Sequence, residues 1–395
     1  MRRCLSRKNL VHSRECREAG LQMPFNEEAL QERRNDHDVT NTVDVTAPRT
    51  VRKAVIALLS SIYSRSSLDP VWIAFHDFER IYGGSDEAYH GIDTSYHDMQ
   101  HSLDVTLALA RLIVGYDSVA AAKDRLGAER ATFALVAALF HDSGYLRHRL
   151  RDRHAANGAE FTRTHVSRSG HFLERYLPKI GLEEFVPIVS PIVHFTGYEI
   201  PLERIRLDDP THVMMGRLLG TADLITQLAD RCYLEKCRDR LYPEFVLGGV
   251  AFDPQAGDVR YRSGRHLLSQ TLTFYQSSVH LRLERGFHSA YRYFEPFFGG
   301  GSNPYVSFVR KNLSFLLHIL QRDEWHKLRR RPPCVIPDPY GEARLMALAL
   351  KRVRERTEAE RAERRRRDAA QDPAAVDLAG FDAGRTAPAL ESHPG

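Results

Sequence analysis

The sequence predicts an all-α protein, and three observations predict it. Apolar residues recur at helical spacing in segment after segment. One segment, ATFALVAALF at 131–140, is apolar on every side, as a buried helix must be. Strand-like alternation is sparse along the whole chain.

Taken in order, residues 1–49 are polar and mixed in charge, and are expected to form a disordered leader that ends near Pro48. In TVRKAVIALLSSIY, Val51, Val55, Leu58, Leu59 and Ile62 share one helical face. DPVWIAFHDFERIYGG carries a helix start at Asp69-Pro70 and a Gly-Gly stop. Residues 95–115 read as a helix, and 131–140 as a buried one. SRSGHFLERYL reads as another, and FVPIVSPIVHF as one started or bent by Pro187 and Pro191. THVMMGRLLGTADLITQLADRCYLEKC reads as one long helical stretch. YPEFVLGGVAFDPQAGD reads as a turn-rich excursion with a short hairpin. Two further helical stretches lie in HLLSQTLTFYQSSVHLRLERGFHSAYRYF and NPYVSFVRKNLSFLLHIL. Residues 50–331 are therefore expected to form one domain. Residues 332–395 are expected to form a charged helix, with a solvated face or an oligomer contact, and then an Ala-, Pro- and Gly-rich disordered tail.

Composition narrows the function classes. A chain of 395 residues, 43% hydrophobic and 27% charged, can bury a large core without staples. The formal charge of +5 is small and argues against a nucleic-acid groove, which needs a concentrated basic face. Five scattered cysteines without a CxxC argue against a disulfide framework and for a reducing cytoplasm. The basic N-terminus is followed by no apolar core of a secretory signal, and no stretch reaches the length of a membrane span.

Four His-Asp dipeptides occur, so the dipeptide alone carries little weight. His37-Asp38 lies in the polar leader and His76-Asp77 in an aromatic-rich helix. His141-Asp142 differs, because it ends an apolar helix and precedes Ser143-Gly144, where a helix stops. An imidazole and a carboxylate delivered together into a core need a partner or a metal; the alternative is a helix cap with a surface carboxylate. Upstream, His97 and His101 stand four apart, which on a helix puts them on one face. Both can then ligate a metal, or one can ligate while the other holds a proton for a leaving group.

At these residues the chain resembles a known family. YHDMQHSLDV is similar to the YHNxxHAxDV signature of cyclic-nucleotide phosphodiesterases. ALFHDSGY is similar to the HD element of the wider HD superfamily of metal-dependent phosphohydrolases. Asp223, in LLGTADLITQLAD, matches that superfamily's downstream Asp. The resemblance covers roughly residues 50 to 330 in order and spacing. It implies an HD-domain, phosphodiesterase-like helical bundle with His101, His141, Asp142 and Asp223 as metal ligands and His97 as general acid. It further implies His165 and His194 as ligands of a second ion, with Asp142 bridging. The ions would be one or two of Mn, Fe, Zn, Co or Mg. They would lower the pKa of bound water toward ~7 and make hydroxide available at neutral pH. Arg147, Arg149, Arg151 and Arg168 are candidate phosphate contacts.

The match has departures. Asp98 and Ser102 replace the signature's Asn and small residue. No equivalent of the purine-selecting glutamine and aromatic clamp is evident, since Gln227 sits too close to Asp223. The GYP element of the cyclic-dinucleotide branch is missing, with only HFTGYEIP in its neighbourhood. The expected activity is hydrolysis of a phosphodiester or phosphomonoester of a nucleotide-like small molecule, by an enzyme off the membrane, with a homo-oligomer left open. The rival expectation is a regulatory protein that senses a nucleotide or metal without turnover.

Overall fold

The structure, a computed structural model, describes residues 33–64, 66, 68–252 and 259–370. The parts of the expected leader and tail at 1–32 and 371–395 lie outside the described residues. Among the described residues the protein is all-α, with isolated antiparallel bridges at His37–Asp44, Tyr89–His148 and Phe252–Val259 and no strand. No helix among the described residues is long and apolar enough to cross a membrane.

Helix α1 (Pro48–Ile62) starts on a proline, whose missing N–H is no loss in a first turn. It buries Val51, Val55 and Leu59, while Leu58 is half-buried and Ile62 exposed. Helix α2 (Asp69–Tyr82) stops at Gly83-Gly84, where Gly84 takes φ +79°. Helix α3 (Met99–Val119) is the axis of the molecule: 99–113 is buried throughout, and it packs against α1, α4 (Gly127–Leu139) and α7 (Pro210–Ala229). From Ala131 onward α4 is buried on every side, as its composition requires. Helices α5 (His165–Tyr176) and α6 (Val186–Val193) pack on each other, and α6 also packs on α7.

The long stretch expected to run on to Cys237 breaks at Asp230. The Asp230 side chain accepts the Cys232 N–H at 2.6 Å, and the chain restarts as α8 (Tyr233–Lys236). A π turn, Cys237–Leu241, joins α8 to α9 (Tyr242–Leu247). The start of the expected turn-rich excursion is therefore helical. Its end, 253–258, lies outside the described residues, flanked by the single Phe252–Val259 bridge. Helices α10 (Gly264–Phe274), α11 (Phe294–Phe297) and α12 (Pro304–Arg322) follow, then α13 (Gly341–Ala370).

Two segments outside the expected domain pack onto it. Residues 33–47 bury Val39, Val45 and Asp38, and Asp38 pairs with Arg111 of α3 at 2.6 Å. On the other flank, Arg240 donates to the carbonyls of Pro332 and Pro333 and to Glu342, at 2.9, 2.6 and 2.8 Å. Leu345 and Ala349 of α13 then join Val246, Leu247 and Phe252 in a small apolar cluster. Composition alone did not foretell the docking of either segment, because a few apolar anchors suffice to dock a polar stretch.

Candidate metal centre

The ends and middles of five helices meet at one point. Asp98 is the N-cap of α3, with Oδ1 accepting the His101 N–H at 3.1 Å and Oδ2 the Val335 N–H at 3.2 Å. His97 therefore precedes the helix, and its expected place on one helical face with His101 is not what forms. Their rings still approach to 5.9 Å between centroids, because the turn at Asp98 folds His97 back over the helix end.

His141 and Asp142 leave the C-terminal end of α4 and enter the core at the Ser143–Tyr145 turn. Asp223 comes from the middle of α7. All four side chains are buried. His101 Nε2 lies 3.3 Å from His141 Nε2, 3.3 Å from Asp142 Oδ2 and 3.2 Å from Asp223 Oδ1. His141 Nε2 lies 3.3 and 3.7 Å from the same two oxygens. Donor atoms bonded to one ion at about 2.0–2.2 Å must stand apart by such distances.

Three further observations test whether a metal fits. The His141 Nδ1–H donates to the Ala138 carbonyl at 2.7 Å, which leaves the Nε2 lone pair facing the cluster. Asp142 Oδ2 is buried and faces the His101 and His141 Nε2 atoms at 3.3 Å without a well-formed hydrogen bond, a place a cation would satisfy. His101, His141 and Asp142 also converge as a group able to hold an ion. The residues fit a divalent cation of the kind that accepts mixed imidazole and carboxylate ligands.

The electrostatics agree. Burial works against a charged His101, yet Asp142 and Asp223 lift its imidazole to about 9, and they push His141 well above its ordinary value. Asp142 and Asp223 are held well below the usual carboxylate range, despite burial, by those imidazoles. The centre is thus built for positive charge, and protons and a metal compete for the same atoms.

His165 begins α5. Its Nδ1–H donates to the Thr162 carbonyl at 2.8 Å and its Nε2 lies 3.7 Å from Asp142 Oδ1. Burial foremost, with His97 nearby, lowers its imidazole against the pull of Asp142, which favours the neutral, ligating form. His194, at the end of α6, donates from Nδ1 to the Ser190 carbonyl at 2.7 Å. Its Nε2 meets the Ser167 hydroxyl oxygen at 3.2 Å, and that hydroxyl also donates to Glu199 at 2.6 Å. Of the two histidines expected at a second ion, His165 stands beside Asp142 and His194 beside Ser167.

The turn after Asp142 is clamped to α5. Gly144 N–H donates to Ser169 Oγ at 2.8 Å and its carbonyl accepts from Arg168 Nε at 2.8 Å. A Cβ on Gly144 would stand 1.9 Å from the His165 carbonyl oxygen. Arg168 also pairs with Asp152 at 2.9 Å, and Arg147 with Asp93 at 2.8 Å. Of the arginines singled out in the sequence, Arg147, Arg149 and Arg168 serve the scaffold and Arg151 is exposed. Those that line the cavity over the metal centre are Arg163 and Arg260.

That cavity measures about 720 Å³. His97, Asp142, His165 and Asp223 lie in its floor, with Phe245, Tyr261, Phe274 and Gln270 in its walls. Two partners of the centre carry no sequence motif. Glu244 of α9 is fully buried and lies 2.7 Å from His97 Nδ1. Gln227 donates to Asp223 Oδ1 at 2.7 Å and accepts from the Tyr96 hydroxyl at 3.0 Å. The signal for Glu244 was slight: one acid set among the apolar residues of PEFVL.

Comparison of the chain with protein-family models, curated proteins and solved structures finds no match.

Proposed function

We propose that this protein is a metal-dependent phosphohydrolase of the HD type that cleaves a phosphate ester in a nucleotide-like small molecule. The observation that supports this reading best is the juxtaposition at the cavity floor. Ligand atoms of His101, His141 and Asp142 lie within one ion's reach, Asp223 Oδ1 stands 3.2 and 3.7 Å from the two imidazoles, and a carboxylate-held imidazole stands beside them.

His101, His141, Asp142 and Asp223 would hold the ion, and His165 is placed to help hold a second through Asp142 Oδ1. A bound divalent cation supplies Lewis acidity toward a phosphate oxygen and makes water a nucleophile near neutral pH. The protein's own residues account for the rest. Glu244 accepts the His97 Nδ1–H, so that Nε2 is the nitrogen able to hand a proton to a departing oxygen. Gln227 fixes the rotamer of Asp223. Arg163 and Arg260 border the cavity where phosphate charge would lie. The aromatic rings of Phe245, Tyr261 and Phe274 offer stacking faces for a base, and the Gln270 amide a donor and acceptor for its edge.

The first test is hydrolysis of bis-p-nitrophenyl phosphate by purified protein with Mn, beside the Asp142→Ala variant. The expected result is turnover and bound metal in the wild type, both lost in the variant. Turnover equal in both would overturn the reading. The His97–Glu244 pair favours turnover over sensing, because a pure sensor has no use for an oriented proton donor.

A further inference from the structure

A second concavity, of about 770 Å³, is walled by residues 33–36, Thr46, Arg231, Arg331 and residues 333–335. Its charged lining consists of Arg33, Arg34, Arg231 and Arg331 against a single carboxylate, Asp36. Asp36 is already engaged by Arg34 at 2.9 Å and by His37 at 2.8 Å. The acids next along the chain are engaged as well: Asp230 with Lys236 at 2.6 Å and Glu235 with Arg330 at 3.6 Å.

The cationic walls are tied to the scaffold at Arg33 and Arg231. Arg33 is buried and donates from Nη1 to the Ala229 carbonyl at 2.8 Å and from Nε to the His37 carbonyl at 3.2 Å. Asn35 ties the other walls together, accepting from Arg231 and donating to the Arg331 carbonyl at 3.0 Å. Burial foremost, with Arg330 and Arg33 adding to it, holds the Arg231 guanidinium below its ordinary value.

We propose that this concavity is a second anion site that binds a small soluble polyphosphate, such as triphosphate or the phosphate tail of a nucleotide. Its volume falls in the range of small-molecule pockets, roughly 300–1,000 Å³. Guanidinium forks match phosphate oxygens in pairs. Three separate chain segments border this open depression.

The site also touches two of the three helices that carry ligands of the metal centre. Arg33 and Arg231 sit at the C-terminal end of α7, which bears Asp223. Val335 bonds to Asp98, the cap of α3, which bears His101. A bound anion would therefore brace the ends of both helices. The proposal does not depend on the hydrolase reading.

The test is calorimetric titration of the full chain with sodium tripolyphosphate in chelated, metal-free buffer. Three variants accompany the wild type: Arg331→Glu, the double Arg231→Ala/Arg331→Ala, and Arg260→Ala in the other cavity. The expected result is saturable binding to the wild type and to Arg260→Ala, weakened about tenfold or more in the other two. The exposed Arg331→Glu change keeps the test valid where the double variant fails to fold. Three results would overturn the proposal: no binding to the wild type, undiminished binding to Arg331→Glu, or loss confined to Arg260→Ala. Tighter binding of a single-stranded oligonucleotide than of tripolyphosphate would overturn it too.

Discussion

Glu244 Oε2 lies 2.7 Å from His97 Nδ1, and its other oxygen accepts the Tyr96 backbone N–H at 2.6 Å. One buried carboxylate thus holds two consecutive residues of the loop before α3. The π turn Cys237–Leu241 leads directly into the helix that carries it. A π turn shifts the register of the side chains that follow it, and such turns recur at functional sites.

Glu244→Gln is therefore expected to lower kcat about 10²-fold, in the range of general acid–base contributions, with metal content unchanged. Steady-state kinetics together with metal analysis check this. A large loss of metal instead would reassign Glu244 to the scaffold.

Gln227→Ala removes the donor that holds Asp223 Oδ1 at 2.7 Å. Loss of such an outer partner is expected to weaken metal affinity about 10- to 100-fold. Competition with a chelator of known affinity measures it, and an unchanged constant would show that Asp223 needs no such support.

Metal binding should itself stabilise the fold, since the four ligands converge only in the folded chain. At metal concentrations of about 100 times Kd the expected gain is about 2.7 kcal/mol, read as a rise in Tm. Asp142→Ala should abolish that rise. A rise that persists in the variant would place the metal elsewhere.

Acid stability tests the packing of residues 33–47. Asp38 is buried, yet Arg111, the Thr40 hydroxyl and the Val43 N–H bring its carboxyl down to about 2 from 3.8. A carboxyl depressed in the folded state contributes stability that is present above pH ~4 and lost as pH falls toward ~2. The shift corresponds to about 2 kcal/mol. Asp38→Asn should flatten that part of the acid limb. It should also lower stability at neutral pH by about 3–5 kcal/mol, because Arg111 is left buried without its counter-charge. Chemical denaturation across pH measures both effects.

Gly144→Ala would drive a Cβ against the His165 carbonyl, 1.9 Å away before any relaxation. The turn bearing Asp142 and the start of α5 must then part. Loss of activity well beyond the loss of Tm is expected, and retained activity would show that the turn has slack the packing does not suggest.

The all-α architecture was legible in the sequence because helical periodicity and an all-apolar segment are local signals, and burial follows from them. The motif residues His101, His141, Asp142 and Asp223 could be named in advance because their spacing and order resemble a known signature. Their convergence could not be read, because it depends on how α3, α4 and α7 cross. The His97–His101 pairing on one face failed for a local reason, since Asp98 caps α3 and leaves His97 outside it. Glu244 carried only a slight local signal and Arg260 none, because each matters only through a neighbour far along the chain. Residues 33–47 and 332–349 looked like flanks by composition, yet Asp38, Arg240 and Leu345 dock them.

The sequence by itself determined the helices, the candidate ligands and their chemical type, for those depend on residue identity and near neighbours. Only the tertiary structure decided which donor atoms lie within one ion's reach, which carboxylate holds His97, and which arginines face a cavity. Those relations arise from long-range packing, where interactions between distant parts of the chain outweigh local preference.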